Sequence, residues 1–494
     1  MYKSINIIKE KRKNKKLISF SLLFLTFMMT LSCSKNPYTQ KNDLTLFMNK
    51  NQEQKIGDRQ HNLLINNFGG VYKSPLLGVY VASIGAKIAN SANLNAESFT
   101  FTILNTPIVN AFASPGGYIY VTRGLVAMCN SEEELAFVIA HEIAHVIARH
   151  SAQRYSRDML GKIGATILGA TVDSNAAHNL GNLVNDLTLA RFSRANELEA
   201  DRLAIKYLID SGYNPTASGN FLNTLINLRE YRKKIGFPQT DNRSVFATHP
   251  PTLDRLKLSE NLKEEYGNIK ASLSFMKNIN AIIFGDDPSQ GIIINERFIH
   301  PELNFSIRVP ENFAIENSKK SLIAIKENIA LIKIDISNKD EYHSDPLTYL
   351  TNIWKTSSKL KFIEVIDINK FKAATGLFFT EGRINQYSGK IQIRYLALRL
   401  DETKYLRFIF ISRANNKIFN DDDFKSLVFT LKDLDDYDIE KVKPLRVFYI
   451  KANSEISVSD FIENEMQGRY KKERFNLLNN TVKGIIKKGT YVKV

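Results

Sequence analysis

Cysteine is almost absent from this chain: Cys33 and Cys129 are the only two in 494 residues. No intramolecular disulfide survives if Cys33 is lipidated, and stability then has to come from packing and a bound metal. Prolines number 13 and no low-complexity repeat occurs, so disordered or fibrous classes do not fit a composition that is 44% hydrophobic and 24% charged. Long apolar runs are missing too. The stretch LISFSLLFLTFMMTL, from Leu17 to Leu31, falls short of the ~20 residues that span a bilayer comfortably. Positive charge is what the chain has in excess, +16 overall. Part of it sits in the first sixteen positions, where Lys3, Lys9, Lys11, Arg12, Lys13, Lys15 and Lys16 face the single acid Glu10. The remainder is spread without a dense block, and no nucleic-acid motif accompanies it. It reads as solubility or attraction to anionic surfaces, and no nucleic-acid partner is expected.

The basic start, the apolar run and then Ser32-Cys33 read as an export signal. A small residue before a cysteine at that point resembles the lipobox of bacterial lipoproteins. The resemblance implies removal of residues 1–32 and lipidation of Cys33, with a periplasmic location in which the outer membrane is favoured over the inner. Thr30 departs from the lipobox preference for Leu, Val or Ile. A simple cleaved signal and an uncleaved anchor are the other readings.

The length implies several folding units, and the expected fold class is α+β. Residues 33–50 are polar and turn-rich, a tether. Residues 51–266 read mainly helical, with paired strands between Phe99 and Val121 around the turn Ala113–Gly117. Residues 267–291 read as a linker. Residues 292–432 are rich in β-branched and aromatic strand-like segments, interrupted by helical pieces near Trp354 and at 424–431. Residues 433–494 form a third, small unit, and no 34-residue helical repeat follows the first region.

The segment SEEELAFVIAHEIAHVIARH, Ser131 to His150, begins with helix-start chemistry: Ser131 with Glu134 as a capping box and an acidic first turn. Leu135, Val138, Ile139, Ile143, Val146 and Ile147 cover most of its circumference, so the helix is expected to be buried. Into it are set His141, Glu142 and His145. Histidines at i and i+4 lie one turn apart on one face and reach a single tetrahedral zinc, while Glu142 can polarise water there and carry its proton to a leaving amine. A chance HExxH occurs in roughly one or two of every hundred chains this long, so the pattern needs support. A second helix, SRANELEADRLAIKYL, supplies it. Glu197 and Asp201 at i and i+4 repel on a bare helix. They are explained if Glu197 touches the cation and Asp201 accepts from a ligating imidazole. Glu199 points elsewhere and reads as solvated.

HEIAHVIARH followed by ANELEADRLA resembles the gluzincin family that contains the CAAX prenyl protease, the membrane protease HtpX and the periplasmic protease-chaperone BepA. NAFASPGGYIYVTRGLV (Asn110 to Val126) and THPPTLDR (Thr248 to Arg255) match the same family, in order. The resemblance covers residues 36–260. It implies one Zn2+ held by His141, His145 and Glu197, Glu142 as general base, and Asp201 as proton donor. It also implies an exposed strand at Asn110, Ala111, Phe112 and Ala113 that pairs with an extended substrate. His249 reads either as a core or capping residue or, as in BepA-like relatives, as a regulatory fourth ligand. His178, in the glycine-rich stretch 161–187, does not read as a ligand, though that stretch is a candidate plug. His150, after Arg149 at a helix end, reads as structural.

The C-terminal unit loosely resembles a LysM module, with Asn453, Ser454 and Glu455 where Gly-Asp-Thr is usual, so peptidoglycan is a candidate partner. The expected function is a zinc-dependent metalloendopeptidase of the bacterial envelope, anchored to the membrane by lipid, acting on misfolded or misassembled proteins. An envelope chaperone or assembly factor with a self-inhibited zinc site is the alternative.

Overall fold

A computed structural model describes residues 33–45, 47–167, 192–237, 245–267, 269, 272–337, 345–355, 359–414, 421–466, 470–479, 482 and 484–494. The expected export signal, His178 and most of the glycine-rich stretch lie outside these residues. Among the described residues no helix is long and apolar enough to cross a membrane.

The chain is mixed α+β. Its first region is built on helices α1 (Lys50–Asn67) and α2 (Pro75–Ser91) and on strands β1 (Cys33–Lys35), β2 (Asn42–Leu44), β3 (Thr100–Leu104), β4 (Ala111–Ser114) and β5 (Tyr118–Thr122). Helices α3 (Arg123–Met128), α4 (Glu132–Ile147), α5 (His150–Ile167), α6 (Arg194–Asp210), α7 (Ala217–Lys234), α8 (Val245–Thr248) and α9 (Leu253–Glu260) follow. Strands β3, β5 and β4 form one sheet in that order, with β3 parallel and β4 antiparallel to β5. The tight β4–β5 turn needs Gly117 at φ 84°, where a Cβ would come within 1.9 Å of the Ser98 carbonyl oxygen.

Helix α4 is buried from Glu134 to His145, as its all-round apolar sequence requires. Ser131 Oγ accepts from the Glu134 amide at 3.2 Å. The Glu134 carboxylate reaches back to the Asn130 amide at 2.9 Å, one residue before the N-cap, so only half of the expected capping box forms. Leu135, Ile139, Ile143 and Ala144 of α4 join Ala200, Ala204 and Leu208 of α6 and Val81, Ile84 and Ile88 of α2 in one core. At roughly 1.5–3 kcal/mol per fully buried large aliphatic side chain, this packing fixes the α4–α6 pair on which the candidate ligands stand.

Two stretches expected to be loose are packed. Phe275 and Ile279, inside the expected linker, are fully buried in the same core. The expected tether pairs β1 with β2 and lies against the C-terminal end of α4, where Asn36 Nδ2 donates to the Ile147 carbonyl at 2.8 Å. Polar composition suggested free chain, but these polar groups cap and bridge helix ends.

The strand-rich region holds a three-stranded antiparallel sheet, 292–308, and a seven-stranded antiparallel sheet. In spatial order the seven strands are Ala314–Ser318, Ser321–Lys326, Ala330–Ile336, Tyr405–Arg413, Tyr387–Arg399, Phe371–Ile384 and Lys361–Ile368. One face packs under Phe424 of the helix Asp421–Val428, stacked 5.0 Å from Phe410. The other packs under Tyr349, stacked 3.9 Å from Tyr405. In the last region two short helices, Val458–Glu465 and Lys471–Leu478, lie between short strands, with Tyr449–Lys451 paired to Tyr491–Lys493. Lys493 is 1% exposed; its Nζ donates to the Ala127 carbonyl at 3.0 Å and to the Cys129 carbonyl, joining this unit to the C-terminal end of α3.

Candidate metal centre

Helix α4 presents His141 and His145 one turn apart, and α6 crosses it with Glu197 and Asp201 on the facing side. His145 Nε2 lies 3.0 Å from His141 Nε2. Glu197 approaches both rings, with Oε2 3.5 Å from His141 Nε2 and Oε1 3.5 Å from His145 Nε2. His249, brought in by the segment after α8, places Nδ1 3.3 Å from His141 Nε2 and 3.1 Å from Glu197 Oε1. All four residues are buried, and they are the one group among the described residues able to hold a metal ion. Zinc bonds of 2.0–2.1 Å in a tetrahedron give donor–donor edges of about 3.3–3.4 Å. The observed 3.0–3.5 Å spacings are those edges, so the donor set fits a single Zn2+.

Asp201 stands behind His141. Its Oδ1 is 2.9 Å from His141 Nδ1, at an angle short of a linear hydrogen bond. Arg255 grips the same carboxylate through Nε at 2.6 Å and Nη2 at 2.8 Å, and its Nη1 lies 3.1 Å from Glu197 Oε2. Burial alone would raise the Asp201 pKa, but Arg255 and His141 outweigh it and hold the group below its ordinary value. The geometry thus makes Asp201 an ionised buttress of a ligand histidine. Both of its oxygens are engaged by Arg255.

Glu142 is 2% exposed, and its Oε2 has no partner among the described residues. Burial raises its pKa, with the neighbouring His249 opposing. Its Oε1 lies 3.5 Å from His249 Nε2, so the His249 ring occupies the space between the general-base candidate and the cluster. The enclosing wall is apolar, from Ala111, Leu125, Phe137, Val138, Phe221 and Val245.

The expected substrate strand needs correction. Residues Asn110, Ala111, Phe112 and Ala113 are 0%, 2%, 3% and 9% exposed. Strand β4 is at the edge of its sheet, but the His249 segment covers its beginning: the Val245 amide donates to the Val109 carbonyl at 3.2 Å, and Thr248 Oγ1 donates to Asn110 Oδ1 at 3.4 Å.

Residues 75–263 match the profile of peptidase family M48. That segment is similar to the M48 metallopeptidases. The chain is 34% identical over 229 residues to the putative beta-barrel assembly-enhancing protease of Vibrio cholerae, covering 44% of this chain and 46% of that protein. It is 32% identical over 219 residues to the beta-barrel assembly-enhancing protease of Escherichia coli K12, covering 42% and 43%. It is 31% identical over 179 residues to the mitochondrial metalloendopeptidase OMA1 of Arabidopsis thaliana, covering 36% and 34%. The chain spans less than half the length of each of these relatives.

Electrostatically, this domain surrounds its candidate site with three buried carboxylates, Glu142, Glu197 and Asp201, against one guanidinium, Arg255. Burial by itself would lower the His141 pKa, but Asp201 and Glu197 reverse this and lift it to about 9. Burial holds His145 well below its ordinary value. Burial would raise Glu197, yet His249, His141 and His145 around it keep it well below the carboxylate range. Such a donor set suits a cation.

Sequence reasoning missed three partners. Arg255 ended the motif THPPTLDR without a role, although an arginine near a buried acid pair was the available signal. Phe192 stacks on His145 with ring centroids 4.2 Å apart, and nothing in the sequence pointed to it. His150 is fully buried, with Nδ1 2.8 Å from His145 Nδ1.

Proposed function

We propose that this chain is a zinc-dependent metalloendopeptidase of the bacterial envelope that cleaves misfolded or misassembled envelope proteins. The observation that carries the reading is the four-donor cluster set at tetrahedral spacing inside an M48-type domain. Bound zinc would supply Lewis acidity toward water and the peptide carbonyl. His141, His145 and Glu197 would hold it. Asp201 and Arg255 would keep the His141 ring in place, and Glu142 would take the proton from water and pass it to the leaving amine. The raised pKa of Glu142 suits that two-way traffic.

His249 supports a second reading, an envelope chaperone or assembly factor with a largely closed site, because its ring fills the fourth corner of the cluster. Substrate could pair with β4 only after the 245–249 segment withdraws. Lipidation of Cys33, attachment to the outer membrane in preference to the inner, and a LysM-like role for residues 433–494 toward peptidoglycan complete the proposal. The order of two short strands, two helices and two short strands over 449–493 supports the last point.

The test is cleavage of an unfolded protein by the wild type and Glu142→Gln. The variant should keep its zinc and lose cleavage by at least ~10³-fold. Equal cleavage by the variant would sink the peptidase mechanism. A biological role that survives Glu142→Gln would favour the chaperone reading.

A further inference from the structure

Both candidate zinc histidines have a partner on the nitrogen that faces away from the cluster, and only one of those partners was expected. His141 is backed by Asp201 and Arg255. His145 turns Nε2 to the cluster and Nδ1 to His150, whose Nδ1 is 2.8 Å away. His150 Nε2 lies 3.4 Å from Glu199 Oε2, and Glu199 Oε1 lies 2.8 Å from Lys41 Nζ. The proton inventory along this line has one solution. A His145 that ligates through Nε2 carries its proton on Nδ1 and donates it to His150 Nδ1. His150 then carries its own proton on Nε2 and donates it to Glu199, which Lys41 neutralises. Every group is satisfied, and no group is asked to donate and accept at one atom.

The backbone is arranged for this contact. In an unbroken helix a residue at i+5 points about 140° away from residue i. Helix α4 instead stops at Ile147, and Arg149 takes a left-handed conformation, φ 54°. This conformation is uncommon for a side chain other than glycine. The break swings His150 back under His145. Arg149 is held there by the segment that follows Cys33: its Nη1 donates to Thr45 Oγ1 at 3.1 Å, its Nη2 to the Met48 carbonyl at 2.7 Å and its Nε to Glu53 at 3.2 Å. Asn36 holds the Ile147 carbonyl next door.

We propose that His150, Glu199 and Lys41 form an outer chain that fixes the tautomer and orientation of the zinc ligand His145, making the segment just after Cys33 a structural part of the metal centre. All three are positioning residues, and the proposal rests on the zinc reading above. A membrane anchor at Cys33 would then lie only eight residues from a group that supports the metal.

The test uses the full chain, with zinc affinity measured by competition with a chromophoric chelator and site geometry read from the visible bands of the Co2+-substituted protein. His150→Phe keeps the buried ring but cannot accept from His145, and it should weaken zinc binding by ~10–100-fold and shift the cobalt bands. His150→Asn places an oxygen acceptor where Nδ1 stands and should recover most of that loss. Glu199→Leu should weaken binding by a smaller factor, ~3–10-fold. The proposal is overturned if His150→Phe binds zinc within about twofold of wild type with an unchanged cobalt spectrum. It is equally overturned if Asn and Phe at this position are alike, since packing alone would then explain the residue. A wild type that binds no zinc would instead refute the underlying metal assignment.

Discussion

Arg255 offers the sharpest test of how the candidate site is held together before metal enters. Its guanidinium is 3% exposed and lies within 2.6–3.1 Å of the carboxylates of Asp201 and Glu197. At about 3 Å and an effective dielectric near 20, each contact is worth about 5 kcal/mol of gross attraction. Most of that offsets desolvation, but removing one member of a buried pair leaves the other uncompensated and costs about 3–5 kcal/mol. Arg255→Leu in the presence of a chelator should therefore lower the local opening free energy of α4 and α6 by that amount. Hydrogen exchange read on peptides from Glu132–Ile147 and Arg194–Asp210 should accelerate by about 10²–10⁴-fold over wild type. Because Asp201 sits below its ordinary value, its contribution is present above that value and is lost as pH falls through the folded one. The deficit should thus be complete at pH 7 and fade at strongly acidic pH. Arg255→Lys should rescue little, since a single ammonium cannot span both oxygens. An acceleration below about tenfold at pH 7 would mean that the carboxylates are not ionised against Arg255, and the electrostatic account would be wrong.

Other consequences are independent of that one. His249→Ala should raise peptidase turnover if its ring closes the fourth position; lower turnover would make His249 a working part of the site instead. Burial pushes His300 down to about 4, so its contribution is present above pH 6.5 and lost as pH falls toward 4. His300→Leu should remove about 3 kcal/mol of acid sensitivity from the strand-rich region, read through the single tryptophan, Trp354. Lys493→Met keeps the buried stem but strands the carbonyls of Ala127 and Cys129. It should cost roughly 2 kcal/mol, seen as faster exchange in Lys471–Leu478.

The candidate ligands were legible because metal chemistry leaves a local pattern. His141, Glu142 and His145 are fixed by helical period, and Glu197 and Asp201 repeat that logic on α6. Strand-rich character in 292–432 was legible from β-branched and aromatic runs. What the sequence hid was contact between distant pieces. Phe275 and Ile279 look like ordinary linker residues until α2 is beside them. The polar stretch before Lys50 looks free until Arg149 and Glu199 are seen to hold it. Exposure of Asn110 to Ala113 was misjudged because the cover comes from residues 245–248, more than a hundred positions away. His150 was read from its place at a helix end, but the left-handed turn at Arg149 decides where it points.

The central claim is that His141, His145 and Glu197 hold one zinc ion in the M48-like domain. Metal content by mass spectrometry, on full-length protein purified without chelator, tests it most directly. Wild type should carry about one zinc per chain, and His141→Ala and Glu197→Ala should carry little while remaining folded. A folded wild type that neither contains zinc nor takes it up on addition would contradict the account.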